Sequence, residues 1–207
     1  MALTWLYPDR CELCMRIGRP PICKDCEREF RPFDEPIQKH YQGSQLDLTA
    51  SVFPFEGRAA QAVKALKYSR QTALATPMAS LLFDAQSRIA LPEFDMVVPV
   101  PIHWSRRCSR GFNQAEMLCE SFPSSLVDAR VLKRTKNTRP QVGLNRDERL
   151  TNLRGAFEAT SAVAGLAILL VDDVTTSGGT AVACAQALRA KKAAYVAALT
   201  FCGERLG

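Results

Sequence analysis

The sequence predicts an α/β protein: a parallel β-sheet flanked by helices, with a small zinc-binding domain at its N-terminus. Three observations carry that prediction. Ile168-Leu169-Leu170-Val171 is a continuous aliphatic run, the pattern of a strand buried on both faces of a parallel sheet, and an Ala-rich helical segment, Ala181 to Lys192, follows soon after it. Met96-Val97-Val98-Pro99-Val100 repeats the buried-strand pattern and is closed by Pro101. Cys11-x-x-Cys14 and Cys23-x-x-Cys26 stand inside the first 26 residues, eight residues apart.

Taken in order, the head comes first. Each cysteine pair can clamp one metal ion from a tight turn, and two pairs complete a tetrahedral sulfur site for structural zinc. The head has too few apolar residues to fold unaided, so metal binding would supply its folding free energy. Disulfides are the competing reading, but the start of the chain lacks a basic segment followed by a long apolar core, so no secretion signal is expected. A redox Cys-x-x-Cys occurs singly and near a βαβ unit. The other cysteines, Cys108, Cys119, Cys184 and Cys202, show no ligand spacing. The last three sit among apolar residues as buried small side chains, and Cys108 lies among arginines that favour a thiolate.

Residues 27–50 mix charges, prolines and glycine and read as connecting structure, with His40 solvated. We set the head and linker at 1–45 and the sheet domain at 46–207. Residues 50–55 read as a strand, Gly57 to Tyr68 as a helix with Lys64 and Lys67 outward, and Thr72 to Ile89 as a second helix with Pro77 near its first turn. Lys67 could reach a phosphate, but its plainer reading is a surface lysine.

After the strand at 94–101 comes a loop, Ile102 to Gln114, that carries Arg106, Arg107, Arg110 and Gly111. Guanidinium forks match phosphate oxygens in paired geometry. His103 in this loop is either an acid–base group or, beside Trp104, a positional one. Gln114 to Ser121 reads as helical. Val131 to Phe157 is basic and loop-like, with a short helix expected from Asn145 to Leu153 exposing Arg146 and Arg149.

The stretch after the Ile168 strand is the most informative. Asp172 and Asp173 stand where the strand should end, and after Val174 the residues Thr175, Thr176, Ser177, Gly178, Gly179 and Thr180 are all hydroxylic or glycine. In an open α/β sheet, ligands bind beyond the carboxyl ends of the strands, where the next helix presents unpaired N–H groups. Glycines let the backbone approach an anion closely, and hydroxyls add donors around it. The two carboxylates would repel a phosphate and suit sugar hydroxyls or a hydrated metal ion. A ribose 5-phosphate satisfies both halves.

Composition limits the alternatives. The hydrophobic content of 47% and charged content of 23% are those of a soluble globular protein, and no uncharged apolar run reaches the length of a membrane helix, so the cytoplasm is the expected compartment. Residues 101–155 hold 11 basic and 5 acidic side chains, which accounts for the whole net charge of +6. Such a block suits a polyphosphate ligand, nucleic acid or a solvated surface.

Together these motifs resemble one family. Val-Asp-Asp-Val-Thr-Thr-Ser-Gly-Gly-Thr is similar to the phosphoribosyl-pyrophosphate (PRPP) loop of type I phosphoribosyltransferases. The series Val98-Pro-Val-Pro-Ile, Arg110-Gly-Phe-Asn-Gln-Ala-Glu116, Arg134-Thr, Gln141, Leu144, Arg149, Asn152 and Gly155-Ala-Phe157 follows the order seen in ComF/GntX proteins, which are related to competence protein F. The resemblance covers nearly the whole chain. It implies a type I phosphoribosyltransferase-like domain with a four-cysteine zinc head. Asp172 and Asp173 would hold the ribose hydroxyls, Thr175 to Thr180 the 5-phosphate, and Ile102 to Gly111 a pyrophosphate whose charge Mg²⁺ shares. It also implies a link to DNA uptake, with single-stranded DNA and a helicase-like DNA-processing protein as partners; the oligomeric state is left open. One departure stands out: purine phosphoribosyltransferases often carry a third carboxylate where this chain has Thr176. A purine acceptor is thereby disfavoured, and orotate-like chemistry or binding without turnover gains weight.

Overall fold

The computed structural model describes residues 9–33, 37–39, 45–86, 88–89, 91–138 and 152–204. Among the described residues the main sheet has five strands: β1 (Ile37–Lys39), β2 (Leu48–Pro54), β3 (Met96–Pro99), β6 (Ala167–Thr175) and β7 (Tyr195–Gly203), in the order β1-β2-β7-β6-β3. All neighbours pair in parallel except the edge strand β1. A separate antiparallel pair joins β4 (Leu132–Arg134) to β5 (Phe157–Ala159). The expected architecture, a helix-flanked parallel sheet behind an N-terminal cysteine cluster, is the one observed.

Strand periodicity divides the core into two layers. Leu169, Val171, Ala197, Leu199 and Phe201 face one side, where α2 (Gly57–Tyr68) contributes Ala62, Val63 and Leu66 and α3 (Ala75–Gln86) contributes Met78 and Leu82. Ile168, Leu170, Val196 and Ala198 face the other, covered by Cys184, Ala185 and Leu188 of α6 (Gly179–Ala190) and by the β4–β5 pair. Because both faces are covered, the central strands read as unbroken aliphatic runs.

The helix expected from Gly57 to Tyr68 has those bounds. The one expected over 72–89 opens as a single 3₁₀ turn, Thr72–Leu74, before α3, and Pro77 falls in the first turn of α3, where a missing N–H costs no bond. The segment read as a loop after β3 is largely helical, with α4 spanning Trp104–Arg110, while the helix expected from Gln114 to Ser121 is present as α5, Gln114–Leu118. Local caps explain this. The His103 ring accepts from the Ser105 N–H, and Gly111, at φ 91°, ends α4 with its N–H on the Arg107 carbonyl. His103 is thus a cap, 6% exposed. The Asn113 side chain starts α5 by accepting from the Ala115 N–H and ties it to the sheet by donating to the Val100 carbonyl at 3.1 Å. His40, Gln141, Leu144, Arg146 and Arg149, and with them nearly all of the helix expected from Asn145, lie outside the described residues.

The head includes a short helix, α1 (Lys24–Arg28), and packs directly on the sheet. Leu13, Ile22 and Phe30 join the same core layer as Phe53 and Phe201, with Phe30 5.5 Å and 6.1 Å from those rings.

Candidate functional site

The site follows from strand register. Pro99 of β3 lies opposite Val171 of β6, and the Val100 N–H continues the ladder to the Val171 carbonyl at 2.9 Å. The chain leaving β3 therefore runs beside Asp172 and Asp173, at the carboxyl end of the sheet. A cleft of about 380 Å³ opens there, lined by Asp172, Asp173 and Thr180, by Arg106, Ser109 and Arg110 of α4, by Asn113 and Gln114, by Lys67 and Tyr68 of α2, and by Arg134 of β4. A hollow of about 30 Å³, lined by Thr175, Thr176, Ser177, Gly178, Gly179 and Thr180, adjoins it and shares Asp172, Val174 and Thr180 as walls.

Adjacent strand residues point to opposite faces, so the two carboxylates have different neighbours. Asp173 is buried on the α2 side, where the Lys67 ammonium donates to Oδ1 at 3.1 Å and lies 3.0 Å from Oδ2. Burial works against the Lys67 charge, but Asp173 and then Asp172 outweigh it and raise its pKa. Asp172 lies on the α6 side. It is half-buried and lines both the cleft and the hollow, and its Oδ1 accepts the Asp173 N–H at 2.8 Å. Burial, and then the Asp173 charge, push its pKa from 3.8 up to about 7, with Lys67 pulling in the opposite direction. The turn that follows leads into the N-terminus of α6. Gly178 adopts φ 75°, a left-handed conformation that glycine takes without strain, and it caps the N-terminus of α6.

Of the arginines singled out in the sequence, Arg106 and Arg110 reach the cleft. Arg110 donates to Gln114 Oε1 at 2.7 Å, and Arg106 to the Thr138 carbonyl at 3.3 Å. Arg107 does not line the cleft; it pairs with Glu116 at 2.5 Å. Gly111 does not line it either and serves as the α4 cap. Sequence reasoning missed Lys67 as a site residue and gave no role to Tyr68, Gln114 or Arg134. Lys67 lies off the apolar stripe of α2, where only the tertiary fold reveals a buried partner. Arg134 stacks its guanidinium on Phe157 at 5.3 Å and donates to Thr138 Oγ1, while burial and then the nearby Arg106 charge lower its pKa.

The head forms a second, separate centre. The sulfur atoms of Cys11, Cys14, Cys23 and Cys26 all lie within 4.8 Å of one another, with Cys11–Cys26 at 3.8 Å and Cys14–Cys23 at 3.7 Å. Tetrahedral zinc with bonds of about 2.3 Å requires sulfurs about 3.8 Å apart, so the cluster fits structural zinc. Burial opposes ionisation of Cys11, but N–H groups of Cys23, Cys14 and Leu13 outweigh it and lower the thiol to about 6; burial holds Cys26 up. Arg58 and Gln61 of α2 both donate to the Leu13 carbonyl, at 3.2 and 3.0 Å, and fasten the first cysteine turn to the sheet domain. Among the described residues no helix is long and apolar enough to cross a membrane.

No family model matches the chain. It is 32% identical over 226 residues to the DNA utilization protein YhgH of Salmonella typhi, a match covering 97% of this chain and 96% of that one. The chain belongs to the ComF/GntX family. Another relative is competence protein F of Haemophilus influenzae, 31% identical over 129 residues, which cover 57% of this chain and 56% of that protein. Among solved structures, this ComF/GntX chain is similar to glutamine phosphoribosylpyrophosphate amidotransferase from Bacillus subtilis complexed with ADP and GMP. That similarity has a TM-score of 0.44 at 17% identity, over 67% of this chain and 30% of the amidotransferase.

Proposed function

We propose that this ComF/GntX chain binds PRPP with Mg²⁺ in the cleft and transfers the phosphoribosyl group to an acceptor nucleophile, in the service of DNA utilization or uptake. The observation that carries the reading is the β3–β6 register, which gathers an acidic pair, a glycine–hydroxyl turn and two arginines around one cleft. In this reading Asp172 and Asp173 accept hydrogens from the ribose 2- and 3-hydroxyls, and Thr175 to Thr180 hold the 5-phosphate. Arg106 and Arg110 face the pyrophosphate, beside oxygen donors of the kind a hard cation takes. Bound Mg²⁺ would share the charge of the leaving group. The acceptor lone pair forms the new bond to the anomeric carbon as the bond to pyrophosphate breaks, and the electron pair of that bond leaves with pyrophosphate. The acceptor's proton passes to solvent. The chain's contribution is positioning and charge stabilisation. DNA utilization and competence enter from the names of the relatives.

Titration calorimetry with PRPP and Mg²⁺ tests the reading. Heat of binding is expected from the native chain and not from the Asp172→Asn, Asp173→Asn double variant; silent titrations of the native chain would remove it. Release of pyrophosphate across a panel of bases and amines then separates a transferase from a PRPP-sensing module. A direct contact with single-stranded DNA, alone or alongside a helicase-like partner, is the second reading. It is favoured by two exposed aromatic side chains near the arginines, Trp104 at 69% and Tyr68 at 70%. Binding of labelled single strands should then weaken steeply with salt.

A further inference from the structure

Two adjacent carboxylates at a strand end repel each other, and the described residues around them differ in what they offer. Arg106 and Arg110 of α4 and Arg134 of β4 line the cleft and have other partners. The nearby thiols of Cys119, Cys184 on α6 and Cys202 on β7 are buried and pushed towards their neutral forms by that burial. Tyr68 stands beside Lys67 and is exposed. Among the described residues, Lys67 is the cation at ion-pair distance from the acidic pair, 3.0 Å from Asp173.

Its placement is rigid. Lys67 sits in the last turn of α2, whose first turns are tied to the first cysteine turn of the head through Arg58 and Gln61 on the Leu13 carbonyl. Just past the helix, the Arg70 guanidinium donates to the Ser109 carbonyl of α4 at 2.6 Å. Helix α2 is therefore held at both ends, and its lysine is delivered to a carboxylate that is 4% exposed.

We infer that Lys67 is a positioning residue: it is the internal counter-ion of the acidic pair and fixes the Asp173 carboxylate at the wall of the cleft. This deepens the phosphoribosyl reading and rests on it for the identity of the ligand. An ionised carboxylate accepts from a ribose diol more strongly than a protonated one, and a nearby cation offsets the repulsion that opposes ionising two adjacent carboxylates together. Lys67 supplies that cation before any ligand or Mg²⁺ arrives. It touches neither the anomeric carbon nor the leaving group.

The test uses the full chain with its metal, in native form and as Lys67→Met and Lys67→Arg, with aspartate carboxyl carbons labelled for NMR titration. The native resonances are assigned with Asp172→Asn and Asp173→Asn. Removing a charge this close should raise the upper titration midpoint of the pair by about 1–3 pH units in Lys67→Met, and Lys67→Arg should restore most of the shift. Calorimetry with PRPP and Mg²⁺ should give affinity about tenfold or more weaker for Lys67→Met at pH 7, recovering as pH rises, because each unit of midpoint shift lowers the ionised fraction about tenfold. Unchanged midpoints in Lys67→Met would overturn the inference whether or not PRPP binds. Shifted midpoints in a chain that binds no PRPP would support the counter-ion role and remove the phosphoribosyl reading instead.

Discussion

Asp172 and Asp173 are neighbours in sequence with opposite stability consequences. The pKa of Asp172 is raised in the folded chain, from 3.8 to about 7, so the native state holds a proton that the unfolded chain has lost. Its contribution to stability therefore falls as pH rises between those two values and stays low above them. Asp172→Asn removes that penalty and is expected to stabilise the unliganded protein at pH 8 by roughly 1–3 kcal/mol, with little change near pH 4. Asp173→Asn strips the buried partner from Lys67 and is expected to destabilise at pH 8. Thermal denaturation of both variants at the two pH values checks the pair; equal shifts of the same sign would refute it. A site that gains stability when a functional side chain is blunted is the trade-off expected of a cleft prepared for a ligand.

At the scale of elements, the parallel seam between β2 and β7 ends beside the glycine–hydroxyl turn that follows β6. Gly203 of β7 pairs with Pro54 and with Thr175, and a Cβ built on it would lie 2.7 Å from the Cβ of Ser51. Ser51 is itself buried and shares a 2.8 Å hydrogen bond with Thr200. Gly203→Ala should force the strands apart at this point and cost about 1–3 kcal/mol in denaturant unfolding. Combining it with Ser51→Gly, which vacates the space, should recover part of that loss. No recovery in the double variant would mean that the seam is not close-packed as described.

Across the whole molecule, the head and the sheet share one core. Phe30 lies against Phe53 and Phe201, and the Leu13 carbonyl between two of the cysteines holds Arg58 and Gln61. Loss of the metal should thus weaken the entire fold. We expect one metal ion per chain, and chelation or Cys26→Ala should lower the single unfolding transition by about 6 °C or more, at 2–4 °C per kcal/mol for a chain of this size. An unchanged midpoint, or a separate early transition confined to the head, would contradict the shared core.

Much of this was legible in the sequence because it depends on local chemistry. Unbroken aliphatic runs specify strands covered on both faces, cysteine spacing specifies a four-sulfur cluster, and a glycine–hydroxyl run after an acidic pair specifies the turn between a strand and the next helix. What the chain could not reveal locally is partnership across long separations. Lys67 and Asp173 are 106 residues apart, and nothing in the pattern of α2 distinguishes this lysine from a solvated one. The helical state of Trp104–Arg110 turns on a His103 cap and a left-handed Gly111, which an arginine-rich stretch does not announce. Once α4 forms, its geometry sends Arg106 and Arg110 into the cleft and turns Arg107 to Glu116. Local spacing thus determined the elements and the chemical character of the turn. The tertiary structure alone decided which charges meet, because that depends on strand register and helix placement rather than on neighbours along the chain.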